Sequence, residues 1–426
     1  MFKLTEQQNL ITNKDQLLEI FYSGINKEQR LGLELEKLPV YKDSLEAVSY
    51  EDIKNVLDSF NPEIWTRYYE NGKLLGLKAP FGHITLEPGS QVEISLKPLT
   101  TVDEIQKFVE NYLLELKLAA DRHGVRFLNI GSQPKTTYEK IKIIPKKRYD
   151  LMSEYLPTKG ALPLVMMRET AGIQVSVDYE SENDAIEKMS LALKLSPIMS
   201  AVFANSPFRS GKINGYKSFR ANAWLDTDDD RCGLVSKKLI ETPERFSFEN
   251  YMETLLEVPM IFIEREGEAL PLKLKFKDFL QNGYQGYRPT IEDWNLHLSL
   301  YFPDVRLKNY VEIRNHDSQT DGLIFAVPAF WKGIIYNKEA INKAKTLVSF
   351  FSFEDFQEIR RESPKEGLSY KIKGKSLQTI AKELLEISFV GLESFSLGEE
   401  KYLSQIIKLV NEGQVPADNV IEFNLI

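Results

Sequence analysis

Four short segments alternate apolar and polar residues with a period of two, and their polar positions are rich in carboxylates. They are LGLELE (31–36), HITLEPGSQVEISL (83–96), GIQVSVDY (172–179) and NYVEIRNH (309–316). Successive side chains of a strand point to opposite faces, so such a segment has one apolar and one polar side. In the first, Leu31, Leu33 and Leu35 take one face and Gly32, Glu34 and Glu36 the other. In the second, Leu86, Val92, Ile94 and Leu96 are the apolar set. Glu87 stands before a Pro88-Gly89 turn, and Gln91, Glu93 and Ser95 share a face after it. The third sets Gln174, Ser176 and Asp178 against Ile173, Val175 and Val177. The fourth turns Val311 and Ile313 inward and Tyr310, Glu312, Arg314 and His316 outward.

If these strands are neighbours in one sheet, Glu34, Glu36, Glu87, Glu93 and Glu312 converge on a single face. Like charges at close range oppose ionisation, and a divalent cation relieves the conflict. Hard cations such as Mg²⁺ take oxygen ligands and bridge carboxylates to nucleotide phosphates, so the pattern points to a metal-nucleotide site on a sheet. The competing reading is the solvent face of an amphipathic sheet, where glutamate is common. Four strands with the same habit, one of them ending in Glu-x-Arg, favour the site.

Between and after the strands, helical periodicity covers 103–121, 182–201 and a C-terminal stretch from about 338 to 411. Strands and helices mixed irregularly imply an α+β fold with a largely antiparallel sheet. The 426 residues hold no repeat and no linker-like tract, so we expect a single catalytic domain over 1–426 with a helical C-terminal segment. The net charge of −8 argues against nucleic acid or an anionic membrane as partner, and leaves small molecules held by a local basic pocket or a metal. The lone Cys232 excludes an internal disulfide and a cysteine zinc site. With no signal-like N-terminus and no apolar window of membrane-spanning length, it leads us to expect a cytoplasmic protein. Oligomeric state leaves no trace in the sequence.

Other motifs fail on inspection. GKINGYKS (211–218) has the wrong spacing for a phosphate-binding loop. DTDDDRCG (226–233) lacks the glycine and glutamate of a calcium loop, since Arg231 and Lys237 stand there. The four histidines have no zinc spacing.

Several segments do resemble one family. LGLELEKL, LEPGSQVEISLKPL, KKRYDLMSEYLP, MMRETAGIQVSVDYESENDAI, the block from Ala204 to Arg231, WNLHLSLYFPDVRLKNYVEIRNHD and PAFWKGIIY run in the order found in plant and proteobacterial glutamate-cysteine ligases. The resemblance covers most of 31–336 and is looser over the C-terminal helices. It implies a glutamine synthetase-like sheet forming an active-site funnel, in which acidic residues bind Mg²⁺ around ATP. Carried over by motif, the metal ligands would be Glu34, Glu36, Glu87, Glu93 and Glu312. Arg314 would reach the transferred phosphate, and Arg220 and Gln174 would hold glutamate. Lys147 and Arg148 lie in a basic segment (135–163) that either closes over the nucleotide or is a solvated loop. Asp226, Asp228, Asp230 and Arg231 could equally be structural. The implied reaction is ATP-dependent synthesis of γ-glutamylcysteine through a γ-glutamyl phosphate, the first step of glutathione synthesis. The alternative is a γ-glutamyl ligase using another amine. The chain departs from the plant enzymes in lacking their regulatory cysteine pair, and no residue stands out as the base that would deprotonate the amine.

Overall fold

The structure, a computed structural model, describes residues 9–26 and 28–422. Each alternating segment forms a strand or hairpin of one antiparallel, nine-stranded sheet. In chain order the strands are β1 (Leu31–Tyr41), β2 (Thr66–Glu70), β3 (Lys73–Ala79), β4 (Gly82–Leu86), β5 (Val92–Leu96), β6 (Val125–Leu128), β7 (Gly172–Val177), β8 (Val305–Leu307) and β9 (Val311–Asp317). Across the sheet the order is β8-β9-β7-β1-β5-β4-β3-β2, and β6 pairs with the far end of β1. The four segments singled out by their alternation are therefore adjacent.

The apolar positions explain why the sheet forms. Leu33, Leu35, Ile94, Ile173, Val175 and Ile313 are all buried on one face. Helices cover that face: α1 (Val102–Asp121), α3 (Glu182–Val202) and α5 (Ala326–Ile335), while α2 (Lys147–Tyr155) and α4 (Phe219–Leu225) belong to the segments around the polar face. A Thr101–Glu104 capping box starts α1, satisfying N–H groups that the helix itself cannot. Among the described residues no helix is long and apolar enough to cross a membrane.

One expectation fails on this sheet. His316 was assigned to the polar face, but a bulge between Ile313 and His316 adds a residue and sets His316 opposite the buried Ile173. An inserted residue reverses the alternation beyond it. His316 is fully buried against Phe203 and accepts a hydrogen bond from Trp331 Nε1 at 3.0 Å. Burial pushes the imidazole down to about 3.

The C-terminal stretch from 338 is helical but divided into α6 (Lys338–Leu347), α7 (Phe353–Glu366), α8 (Leu377–Glu393) and α9 (Ser404–Asn411), with a small hairpin (371–376) between α7 and α8. The hydrophobic core is continuous from Leu17 to Ala417. α8 meets α5 backbone to backbone. A Cβ added at Gly391 would lie 2.1 Å from the Gly333 carbonyl oxygen, and one at Gly333 would lie 2.3 Å from Ser388 O. A buried Lys332–Glu399 ion pair at 2.5 Å reinforces the contact, and Glu399 also accepts the Val102 N–H at 2.6 Å where α1 begins. In an exposed helix Gly→Ala is stabilising by up to about 1 kcal/mol. Here Gly391→Ala should instead destabilise by about 3 kcal/mol through overpacking, read from the denaturant midpoint. An unchanged or raised midpoint would contradict this close helix contact.

Candidate active site

The sheet order turns the carboxylates of separate segments into near neighbours. Glu36 stands directly opposite Glu93 across the β1–β5 ladder, and Glu34 lies between Ser95 and Gln174. With Glu87 they line a cleft of about 300 Å³ on the polar face, shared with Gln174, Arg220 and Arg314. Glu93 accepts hydrogen bonds from Thr85 Oγ1 at 3.1 Å and Ser95 Oγ at 3.2 Å. Glu36 accepts the Gly172 N–H at 2.5 Å, and Tyr149 OH donates to Glu87 at 3.3 Å.

These acids are held in an unfavourable electrostatic environment. Burial, then the charges of Glu34, Glu87 and Glu36, raise the Glu93 carboxyl well above its usual range. Burial lifts Glu36 to about 7, opposed mainly by Arg220 and aided by Glu87. Burial and Glu312 raise Glu34. Among the described residues no three His, Cys, Asp or Glu side chains are gathered closely enough to form a ready-made metal cage. The donors on offer are nevertheless all oxygens, the type that suits a hard divalent cation.

Glu312 has different company from the other four. Its Oε2 accepts from Arg306 Nε at 2.8 Å, Arg306 Nη2 at 2.7 Å and Arg314 Nη1 at 2.8 Å, while Lys308 lies 3.6 Å from Oε1. Burial alone would raise this carboxyl, but Arg306, Lys308 and Arg314 hold it well below the usual range. Arg314 Nη1 also donates to Gln174 Oε1 at 2.6 Å. Sequence reasoning missed Arg306 and Lys308. The signal was present in VRLKNYVEIR, a basic-then-acidic alternation whose hairpin register sets Arg306 opposite Glu312.

Arg220 reaches the cleft from the first turn of α4, which Ser218 caps by accepting the Ala221 N–H at 3.0 Å. Its guanidinium is 3% exposed and lies so close to Gly172 that a Cβ there would be 2.5 Å from Nη2. Nη2 donates to Arg314 O at 3.0 Å, whereas Nε and Nη1 are buried without a partner. Trp224 Nε1, one turn further along α4, and Asn315 Oδ1 are also buried and unpartnered, and both line a smaller cavity that shares Arg220 and Arg314. No spacing rule marks Trp224 or Asn315 in the sequence.

The basic segment divides differently from expectation. Arg148 lines the cleft, but the neighbour that joins it is Lys146, while Lys147 is exposed and outside the lining. These residues open α2, so consecutive side chains fan out about 100° apart and cannot all face one cleft. The aspartate-rich run is structural. Asp228 and Arg231 form a fully buried ion pair at 2.5 Å, and Arg231 also donates to the Leu300 and Pro259 carbonyls, each at 2.9 Å. Asp226 caps the Ala161 N–H at 3.0 Å, and Asp230 takes a surface pair with Lys159 at 2.8 Å. Burial pushes the Cys232 thiol up to about 12, which suppresses the reactive thiolate.

Comparison with known proteins adds identity to this geometry. Residues 30–425 match Glutamate-cysteine ligase family 2 (GCS2). The rice (Oryza sativa subsp. japonica) protein named glutamate–cysteine ligase B, chloroplastic, is 35% identical over 415 residues, covering 96% of this chain and 83% of the relative. The Medicago truncatula glutamate–cysteine ligase, chloroplastic, is 35% identical over 416 residues, covering 96% and 81%. A crystal structure of the Francisella tularensis glutamate–cysteine ligase in complex with AMP superposes with a TM-score of 0.58 at 13% identity, over 94% of this chain and 85% of that one, and shares the fold. The relatives' chloroplastic names overturn the cytoplasmic placement expected from Cys232. A solitary cysteine speaks of reducing conditions, which are not confined to the cytoplasm. By the extent of these matches, the chain belongs to glutamate-cysteine ligase family 2.

Proposed function

We propose that this chain, acting as one catalytic unit, joins the γ-carboxylate of glutamate to the amine of cysteine at the expense of ATP. The observation that carries the reading is the cleft itself. Glu36 faces Glu93 across a strand pair, and at the same cleft Arg220 presents two buried N–H groups with no partner. The relatives' names supply the reaction.

Each side chain has a part that follows from its surroundings. Arg220 Nε and Nη1 can grip a substrate carboxylate in a charge-assisted, two-point contact. Gln174 is fixed by Arg314 through its Oε1 and donates one amide N–H to Glu36 Oε1 at 3.5 Å, leaving the other N–H for the same substrate. Glu312 aims Arg314, pinned between carboxylate and amide, at the phosphoryl group in transit. Lys146 and Arg148 at the cleft wall suit the remaining nucleotide phosphates. Glu34, Glu36, Glu87 and Glu93, which line the cleft, would hold Mg²⁺; Glu312 does not line it, its Oε2 is taken by the guanidinium groups, and its Oε1 faces Lys308 at 3.6 Å. Bound Mg²⁺ supplies charge neutralisation of the carboxylates and of the ATP phosphates.

The γ-phosphoryl group of ATP passes to the glutamate γ-carboxylate, releasing ADP. The amine then attacks the acyl phosphate carbon and phosphate leaves. Phosphoryl transfer asks for alignment and charge stabilisation rather than a protein nucleophile, which this set of residues can provide.

Incubation with ATP, Mg²⁺, glutamate and a panel of amines should yield ADP, phosphate and γ-glutamylcysteine together by mass spectrometry. Turnover with another amine and none with cysteine would reassign the acceptor. Arg220→Ala should raise the KM for glutamate by about 10- to 100-fold, the worth of a lost charge-assisted hydrogen bond, and leave the KM for ATP nearly unchanged. Equal effects on both would refute the carboxylate role.

The raised carboxyls give a third test. Glu36 binds a proton up to about pH 7 in the folded chain but only to about 4.5 when unfolded. The native state thus holds more protons between these values. The associated stability is full below pH 4.5 and is lost as pH rises through 7. Denaturation of the metal-free protein should show this decline, and added Mg²⁺ should reverse it at pH 8. Glu93→Gln should flatten the decline, raise the Mg²⁺ requirement and cut turnover by at least about 100-fold. A folded variant with ordinary turnover and ordinary Mg²⁺ dependence would remove the central assignment.

A further inference from the structure

Behind the carboxylate cleft, on the helix-covered side of β1, lies a second cavity of about 210 Å³. Lys37 follows Glu36 along the strand, so its side chain leaves the sheet on the opposite face, toward α1 and β6. Lys37 is 0% exposed. Its ammonium donates to Asn129 Oδ1 at 2.5 Å and to Gln319 O at 3.1 Å, both neutral acceptors. An ammonium carries three N–H donors, so one is left over.

No carboxylate among the described residues pairs with it. Asp121, at the cavity's edge, is taken by Lys42 at 2.6 Å, and Asp321, exposed at the rim, acts on Lys37 through its charge without forming an ion pair. β6 brings a second cation, Arg126, whose Nε is buried and without a partner. The walls between are apolar, formed by Leu113, Leu116, Val125 and Phe127. Burying a charge whose hydrogen-bond partners are all neutral is costly, and an orphaned guanidinium N–H adds to the cost.

We propose that this cavity binds a small monocarboxylate with a short hydrocarbon body, its carboxylate shared by Lys37 and Arg126 and its body set against Leu113, Leu116 and Phe127. The two cations offer charge-assisted donors to both oxygens of a carboxylate, and the aliphatic and aromatic walls favour such a ligand over a bare anion such as phosphate. An occupant would also touch the catalytic strand. Gln319 follows Ser318, whose hydroxyl donates to the Glu36 carbonyl at 2.7 Å.

The probe is hexanoate, titrated into the full-length protein by calorimetry, with hexan-1-ol and inorganic phosphate as comparisons. We expect saturable 1:1 binding with a Kd of about 1 mM or tighter. The alcohol and phosphate should each bind at least about tenfold more weakly, since neither combines the charge with the body. Arg126→Gln and Lys37→Met should each weaken hexanoate by at least about tenfold. Arg220→Ala, on the other face of the sheet, should leave hexanoate affinity unchanged. If Lys37→Met does not fold, Arg126→Gln decides, because Arg126 is only half-buried. The proposal is overturned by an absence of saturable binding, by equal affinity for the alcohol or phosphate, by insensitivity to the cavity variants, or by loss of binding in Arg220→Ala.

Discussion

The structure turns on a repulsion. Glu36 and Glu93 occupy directly facing positions on β1 and β5, an arrangement that like charges disfavour. It persists because the same two strands bury Leu35 and Ile94 side by side on their other face, together with Leu33, Val92 and Ile173. Fully burying one such side chain is worth about 1.5–3 kcal/mol. The apolar register therefore dictates where the carboxylates stand, and a one-residue slip that separated them would expose the whole apolar set. The cost is held in place for a ligand to relieve.

Around this frustrated centre the cations are arranged by degree of satisfaction. Arg306 is fully engaged with Glu312 and with the Tyr301 carbonyl at 2.8 Å, and serves to position. Arg314 is engaged on one nitrogen with both Glu312 and Gln174, and so is aimed but not consumed. Arg220 is the least satisfied, with two donors open in a buried setting. That gradient separates scaffold from contact residue without reference to any relative.

Much of this was legible in the sequence, because strand alternation is local. The acidic face follows from the alternation of Leu31-Gly32-Leu33-Glu34-Leu35-Glu36, and the placing of Glu87 before and Glu93 after a Pro-Gly turn is equally local. What was hidden depends on three-dimensional accidents. The bulge that moves His316 to the core leaves no compositional mark. Lys146 lines the cleft and Lys147 does not only because of their azimuth at the start of α2. Trp224 and Asn315 are ordinary letters until α4 and β9 bring them beside Arg220. The Arg306–Glu312 pair was within reach, since a short hairpin fixes its own register.

The bulge in β9 makes the length of that strand as informative as its composition. Before it, odd positions Val311 and Ile313 face the helices and even positions Glu312 and Arg314 face the cleft; after it the parity is reversed. His316 then enters the core, and Asp317 is free to accept from Ser206 at 2.7 Å and Ser218 at 2.9 Å, the serine that caps the helix of Arg220. Removing a single residue between Arg314 and His316 would restore strict alternation. Because the deleted position is the one that shifts the parity, His316 would still turn to the core and Asp317 to the polar side. Straightening the bulge without shortening the strand would instead swing an imidazole into the cleft and thrust a carboxylate among Phe203 and Trp331. The faces that His316 and Asp317 take are therefore set by one extra residue of backbone and not by the letters around it.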